Sequence, residues 1–131
     1  MIDRQKVYEK FNGHCAYCGK VITIKEMQVD HIAPKRWAHA QKAIGRYPDI
    51  PLYKELETMK NGVDDIENLN PSCRRCNHYK RAETLKTFRR MIGSLHERIR
   101  KNYICKVAED YGIIEVKEWD GKFYFEREEE K

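Results

Sequence analysis

An α+β fold is what this sequence predicts: two short strand-like segments beside two cysteine pairs, extended by a long helix and a closing hairpin. Three observations predict it. Two Cys-x-x-Cys pairs stand far apart in a chain of 131 residues. Segments with strand character follow the first pair and precede the second. After the second pair, apolar residues recur at helical spacing. With 40% hydrophobic residues in 131, the chain can fill one modest core. The expectation is one domain, residues 1–131, with its core at about 13–90 and an extension at about 91–126.

Val7, Tyr8 and Phe11 among charged neighbours predict a short N-terminal helix, stopped by Asn12-Gly13. Residues 20–30 are rich in β-branched side chains and predict a strand that delivers Asp30 and His31 at its exit. The stretch from Pro34 to Gly62 reads as an insertion, with a short helix from about Leu52 to Met59 and a turn at Asn61-Gly62. Ile66 to Pro71 predicts a second extended segment. From about Asn77 to residue 111, Leu85, Phe88, Ile92, Leu95, Ile99 and Tyr103 define one apolar stripe on a long helix that Gly112 ends. Two strand-like runs around Asp120-Gly121 predict a hairpin from Ile113 to Phe125, followed by a frayed acidic tail. Trp37 and Trp119 read as packing aromatics, His39 and His96 as solvent-facing or packing residues, and Cys105 as a buried, inert thiol.

No run reaches the roughly 18 apolar residues that span a bilayer, and Met1 to Gln5 lack a signal-peptide character, so a cytoplasmic protein without a membrane partner is expected. In that setting five cysteines argue for reduced thiols and metal binding. Cys15-Ala-Tyr-Cys18 and Cys73-Arg-Arg-Cys76 each present two thiolates from one turn of backbone, and together they complete a tetrahedral zinc site. A closed four-sulfur site leaves no open position, so its role is structural. The 54 residues between the pairs mean that it staples distant parts of the chain. A redox Cys-x-x-Cys belongs to a strand–helix context that neither pair has. His14, beside Cys15, is a substitute ligand only if a thiolate fails.

Charge is uneven. Residues 71–106 hold eleven Lys or Arg against two Glu, whereas residues 107–131 hold four against nine Asp or Glu. A basic middle before an acidic tail points to a polyanion partner, although a solvated helix face explains the charge about as well.

Val29-Asp30-His31-Ile32-Ala33-Pro34 lies between the pairs, and Asn68-Leu69-Asn70-Pro71-Ser72-Cys73-Arg74-Arg75-Cys76-Asn77-His78-Tyr79-Lys80 spans the second. This combination resembles the zinc-containing HNH endonucleases over residues 13–81, apart from the insertion from Lys35 to Asp65. The resemblance implies a ββα-metal core that hydrolyses DNA phosphodiester bonds. It makes His31 the general base, Asp30 and Asn77 the ligands of one Mg²⁺ or Mn²⁺, and Asn68 the brace that orients His31. Lys80 and Arg81 would sit on the first turns of the helix and meet DNA phosphates or simply face water, and His78 is an alternative ligand to Asn77. The chemistry agrees: an imidazole is suited to take a proton from water at neutral pH, and carboxylate and amide oxygens suit hard cations. One site cuts one strand, so double-strand cleavage calls for a homodimer, a second pass or a partner protein. A noncatalytic zinc module that binds nucleic acid would use the same basic surface and cysteines.

Overall fold

The computed structural model describes residues 2–33 and 64–131. The expectations for Trp37, His39, the Leu52–Met59 helix and the Asn61-Gly62 turn lie outside the described residues. The architecture is α+β, a two-stranded antiparallel sheet with several helices. Contacts divide it into two compact units. One takes the described residues up to Leu85 together with Phe123–Lys131, and the other is Lys86–Lys122. No helix of the described residues is long and apolar enough to cross a membrane.

In the first unit, helix α1 (Arg4–Glu9) is capped by Asp3, whose carboxylate accepts from the Lys6 amide, and it buries Val7. It stops where the sequence predicts, with Asn12 and Gly13 both at positive φ. Lys10 then reaches across, donating through Nζ to Leu69 O at 2.7 Å, Ile66 O at 3.0 Å and Asn70 Oδ1 at 3.3 Å. That ties the helix end to the segment entering the second cysteine pair.

The predicted strand over 20–30 shrinks to β1 (Gln28–His31). Upstream of it, only Val21 bridges His14, while Thr23 closes a turn by accepting from Met27 N through its carbonyl and from Glu26 N through Oγ. The Thr23 turn breaks the β-branched run before a ladder can form. Strand β2 (Leu69–Ser72) pairs antiparallel with β1, in a register that sets Asp30 opposite Asn70 and His31 opposite Leu69. Pro71 has no N–H, yet its carbonyl accepts from Ala16 N at 2.8 Å, so the first cysteine turn docks against β2. Helix α2 (Arg74–Lys80) follows directly with Cys73 as its N-cap.

The single long helix predicted after Asn77 is four helices. Arg81, at φ 55°, ends α2. The second unit then holds most of α3 (Leu85–Gly93), with α4 (Leu95–Lys101) and α5 (Tyr103–Asp110). Asn102 leaves helical geometry at ψ 124° and caps α5 by accepting from Cys105 N, which interrupts a pattern that apolar periodicity alone would continue. The stripe is therefore not uniformly buried: Phe88 is 1% exposed, Tyr103 79%. Cys105 is half-buried, not sealed in the core. Gly112, at φ 72°, ends α5 as expected. Beyond it the chain folds back over a cavity of about 470 Å³ lined by Ile92, Leu95, Ile99, Ile114, Val116 and Trp119, where Trp119 and His96 serve as packing residues.

The predicted C-terminal hairpin is absent. Asp120-Gly121 does turn, with Lys122 N donating to Asp120 Oδ1 and Gly121 at φ 85°, but no ladder follows. Phe123 and Phe125 leave it for the aromatic cluster of the first unit, at 5.4 and 6.0 Å from the Tyr17 ring. Phe123 N donates to Glu126 Oε1 and starts helix α6 (Tyr124–Glu129), so the acidic tail is helical. Tyr124 N and Phe125 N donate to Tyr17 O and Ala16 O, fastening α6 to the first cysteine turn. Phe125 also lies 6.2 Å from Phe11, just past α1.

Candidate metal centre and His31 site

Two tight turns bring the four cysteines together. Cys15 N donates to Lys20 O and Gly19 N to Cys15 O, curling the first pair. At the second, Cys73 Sγ accepts from Cys76 N at 3.3 Å. All four sulfurs lie within 4.8 Å of one another, and Cys18 and Cys73 are 3.9 Å apart. A zinc–sulfur bond of about 2.3 Å sets the edge of a tetrahedron at about 3.8 Å. The cluster thus has the size and chemistry to hold a metal ion such as zinc. Crowding sets the sulfurs against one another. S–H groups of Cys18 and Cys76 hold Cys15 well below the usual thiol range, whereas donating to Cys15 pushes Cys18 up to about 11 and raises Cys76 as well. A divalent cation is the partner that would let all four ionise together. His14 is not one of the group: its Nδ1 sits 2.9 Å from Gly19 O and its ring stacks on Tyr124.

Tyr17, inside the first pair, connects this cluster to the strands. Its hydroxyl donates to Asp30 Oδ2, and Asn70 Nδ2 donates to the same hydroxyl at 3.4 Å. Asp30, 4% exposed, also meets Lys80 Nζ at 3.2 and 3.3 Å. Lys80 is fully buried and donates besides to His31 O and Glu83 O. Its expected phosphate contact is corrected here: an ammonium with three protein acceptors and no exposed surface has nothing left for DNA. Burial raises the Asp30 carboxyl and lowers the Lys80 ammonium, each opposed by the other's charge. For a catalytic Mg²⁺ or Mn²⁺ the donor set is thin. Asp30 is already engaged by a hydroxyl and a cation, and among the described residues the cysteines form the sole cluster of His, Cys or carboxylate groups sized for an ion.

His31 stands at the end of β1 with 14% of its side chain exposed, and its Nε2 is 2.7 Å from Asp64 Oδ1. The chain leaving it is clamped by buried Asn68. Asn68 O accepts from Ile32 N, while Asn68 Oδ1 accepts from Ala33 N at 2.8 Å and Nδ2 donates to Ala33 O at 3.3 Å. A side-chain amide closing on both the N–H and the C=O of one residue is a rigid brace.

Asn77 and His78 open onto a different feature, a cleft of about 820 Å³ beside Cys73 that Lys20, Lys25, Arg74 and Arg75 also line, with Glu26 as its one acid. Arg81 is exposed at the end of α2. The chain matches no family model, no curated protein and no solved structure.

Tyr17, Asp64 and the Lys20–Lys25 side of the cleft escape sequence reasoning. Tyr17 carries a weak signal, an aromatic ring in an apolar Ala-Tyr spacer where the second pair has the exposed Arg74 and Arg75. Asp64 carries no local signal at all.

Proposed function

We propose that the chain is a metal-dependent DNA endonuclease of the HNH type. The observation that carries this reading is the bracing of His31: a partly exposed imidazole at the end of β1, its exit clamped by Asn68 and its Nε2 engaged by Asp64. Rigid support on both sides of one imidazole suits a general base, which must meet a water proton in fixed geometry. His31 takes a proton from water as the water oxygen bonds to phosphorus. The bond from phosphorus to the leaving oxygen breaks, and that oxygen is protonated from solvent. The separate cleft offers four cations to the phosphates of a bound nucleic acid. A Mg²⁺ or Mn²⁺, which would neutralise phosphate charge, would be held by Asp30 and Asn77 only if it displaced the Lys80 ammonium from Asp30; Tyr17 orients Asp30.

Supercoiled plasmid with Mg²⁺ or Mn²⁺ is the test, wild type beside His31→Ala at matched zinc content. Nicked or linear product from wild type alone is expected, and cleavage by His31→Ala at the wild-type rate would remove His31 from the mechanism. The pairing of Asp30 with Lys80 favours a second reading, a noncatalytic zinc-stabilised module that binds nucleic acid. Under it the plasmid stays intact while binding persists. Under both, Arg74→Ala and Arg75→Ala each lower the slope of log affinity against log salt by about 0.9 on duplex DNA; an unchanged slope would place the phosphates elsewhere.

A further inference from the structure

We infer that Asp64 is a positioning residue for His31, holding the neutral ring as its Nε2–H tautomer so that Nδ1 carries the lone pair that takes the proton. The inference rests on the nuclease reading for its catalytic meaning, though not for the contact itself. An imidazole has two nitrogens, and the group bonded to one decides which role is left to the other. Here Asp64 Oδ1 is 2.7 Å from Nε2, so the neutral ring donates Nε2–H to the carboxylate. After Nδ1 accepts a proton the same carboxylate faces an imidazolium, a charge pair formed only as the reaction proceeds.

The placement of Asp64 is not accidental to the brace. Asp65 O accepts from Asn68 N at 2.8 Å and opens the 3-10 turn Ile66–Asn68, so Asp64 enters the same turn that presents Asn68 to Ala33. Asn68 O in turn accepts from Ile32 N, next to His31. One short segment thus sets both the backbone leaving the imidazole and the carboxylate on its far nitrogen. Asp64 is 43% exposed, so removing its charge leaves the core intact.

The experiment is long-range ¹H–¹⁵N correlation of the histidine rings in zinc-loaded wild type, Asp64→Ala and Asp64→Asn, with plasmid cleavage on the same samples. In wild type the His31 pattern is that of the Nε2–H tautomer. Asp64→Ala turns it into a mixture and lowers kcat about 10- to 100-fold, with KM and zinc content unchanged. Asp64→Asn, which keeps an acceptor and loses the charge, retains more of both. A wild-type Nδ1–H tautomer, or an Asp64→Ala protein with unchanged tautomer and kcat, overturns the proposal. If Asp64→Ala shifts the tautomer in a protein that cuts no DNA, the positioning contact stands and the nuclease reading falls alone.

Discussion

Lys80 and Asp30 show what one ion pair does to the meaning of a residue. On the sequence Lys80 is a helix cation facing DNA; in the fold it is a buried counter-ion whose partner is the carboxylate beside His31. Desolvating either charge is costly, and the pair is tolerated because Tyr17, His31 O and Glu83 O satisfy the remaining hydrogen-bonding positions. Lys80→Met should therefore destabilise the zinc-loaded protein by about 3–5 kcal/mol in urea denaturation, since it strands a buried carboxylate. Adding Asp30→Asn should recover a large part of that loss. Simple additivity of the two changes would mean that the pair is not coupled.

Among the elements, α6 is fixed by where it docks. Gly19, at φ 82°, stands beneath the Tyr124 ring, and a Cβ there would come within 2.8 Å of Tyr124 Cδ2, whereas a Cβ at Gly112, φ 72°, meets nothing within 4 Å. Both sites pay the left-handed backbone cost on substitution, about 1–2 kcal/mol. Gly19→Ala should exceed Gly112→Ala in the loss measured by urea denaturation, because it also pushes Tyr124 away from His14. Equal losses would show that α6 yields to the intrusion freely.

For the whole molecule, four sulfurs join the first cysteine turn, α2 and, through Tyr17 and Ala16, the strands and α6. Metal binding and folding of the first unit should therefore be one event. Elemental analysis is expected to find one zinc per chain, with Cys73→Ser losing it and unfolding at lower urea while His31→Ala keeps both. The pH dependence follows from the sign of the shift. Zinc-bound thiols ionise below their unfolded value of about 8.5, so their contribution is complete above that pH and is lost as pH falls through the folded value. The urea midpoint should drop between about pH 8 and 5 along with zinc content. A midpoint indifferent to zinc over that range would separate metal from fold.

What the sequence by itself determined is what depends on residue identity and short spacing. The two Cys-x-x-Cys turns, the α1 stop at Asn12-Gly13 and the α5 stop at Gly112 were all legible, because a few neighbouring residues define each local geometry. What only the tertiary structure decided depends on partners far along the chain. Lys80 turns inward because Asp30, 50 residues earlier, waits there; Asp64 meets His31 across 33 residues. The run from Ile113 to Phe125 forms no hairpin because Phe123 and Phe125 gain more by packing on Tyr17 than by pairing strands, an exchange between local propensity and distant apolar contact that no short window of sequence contains.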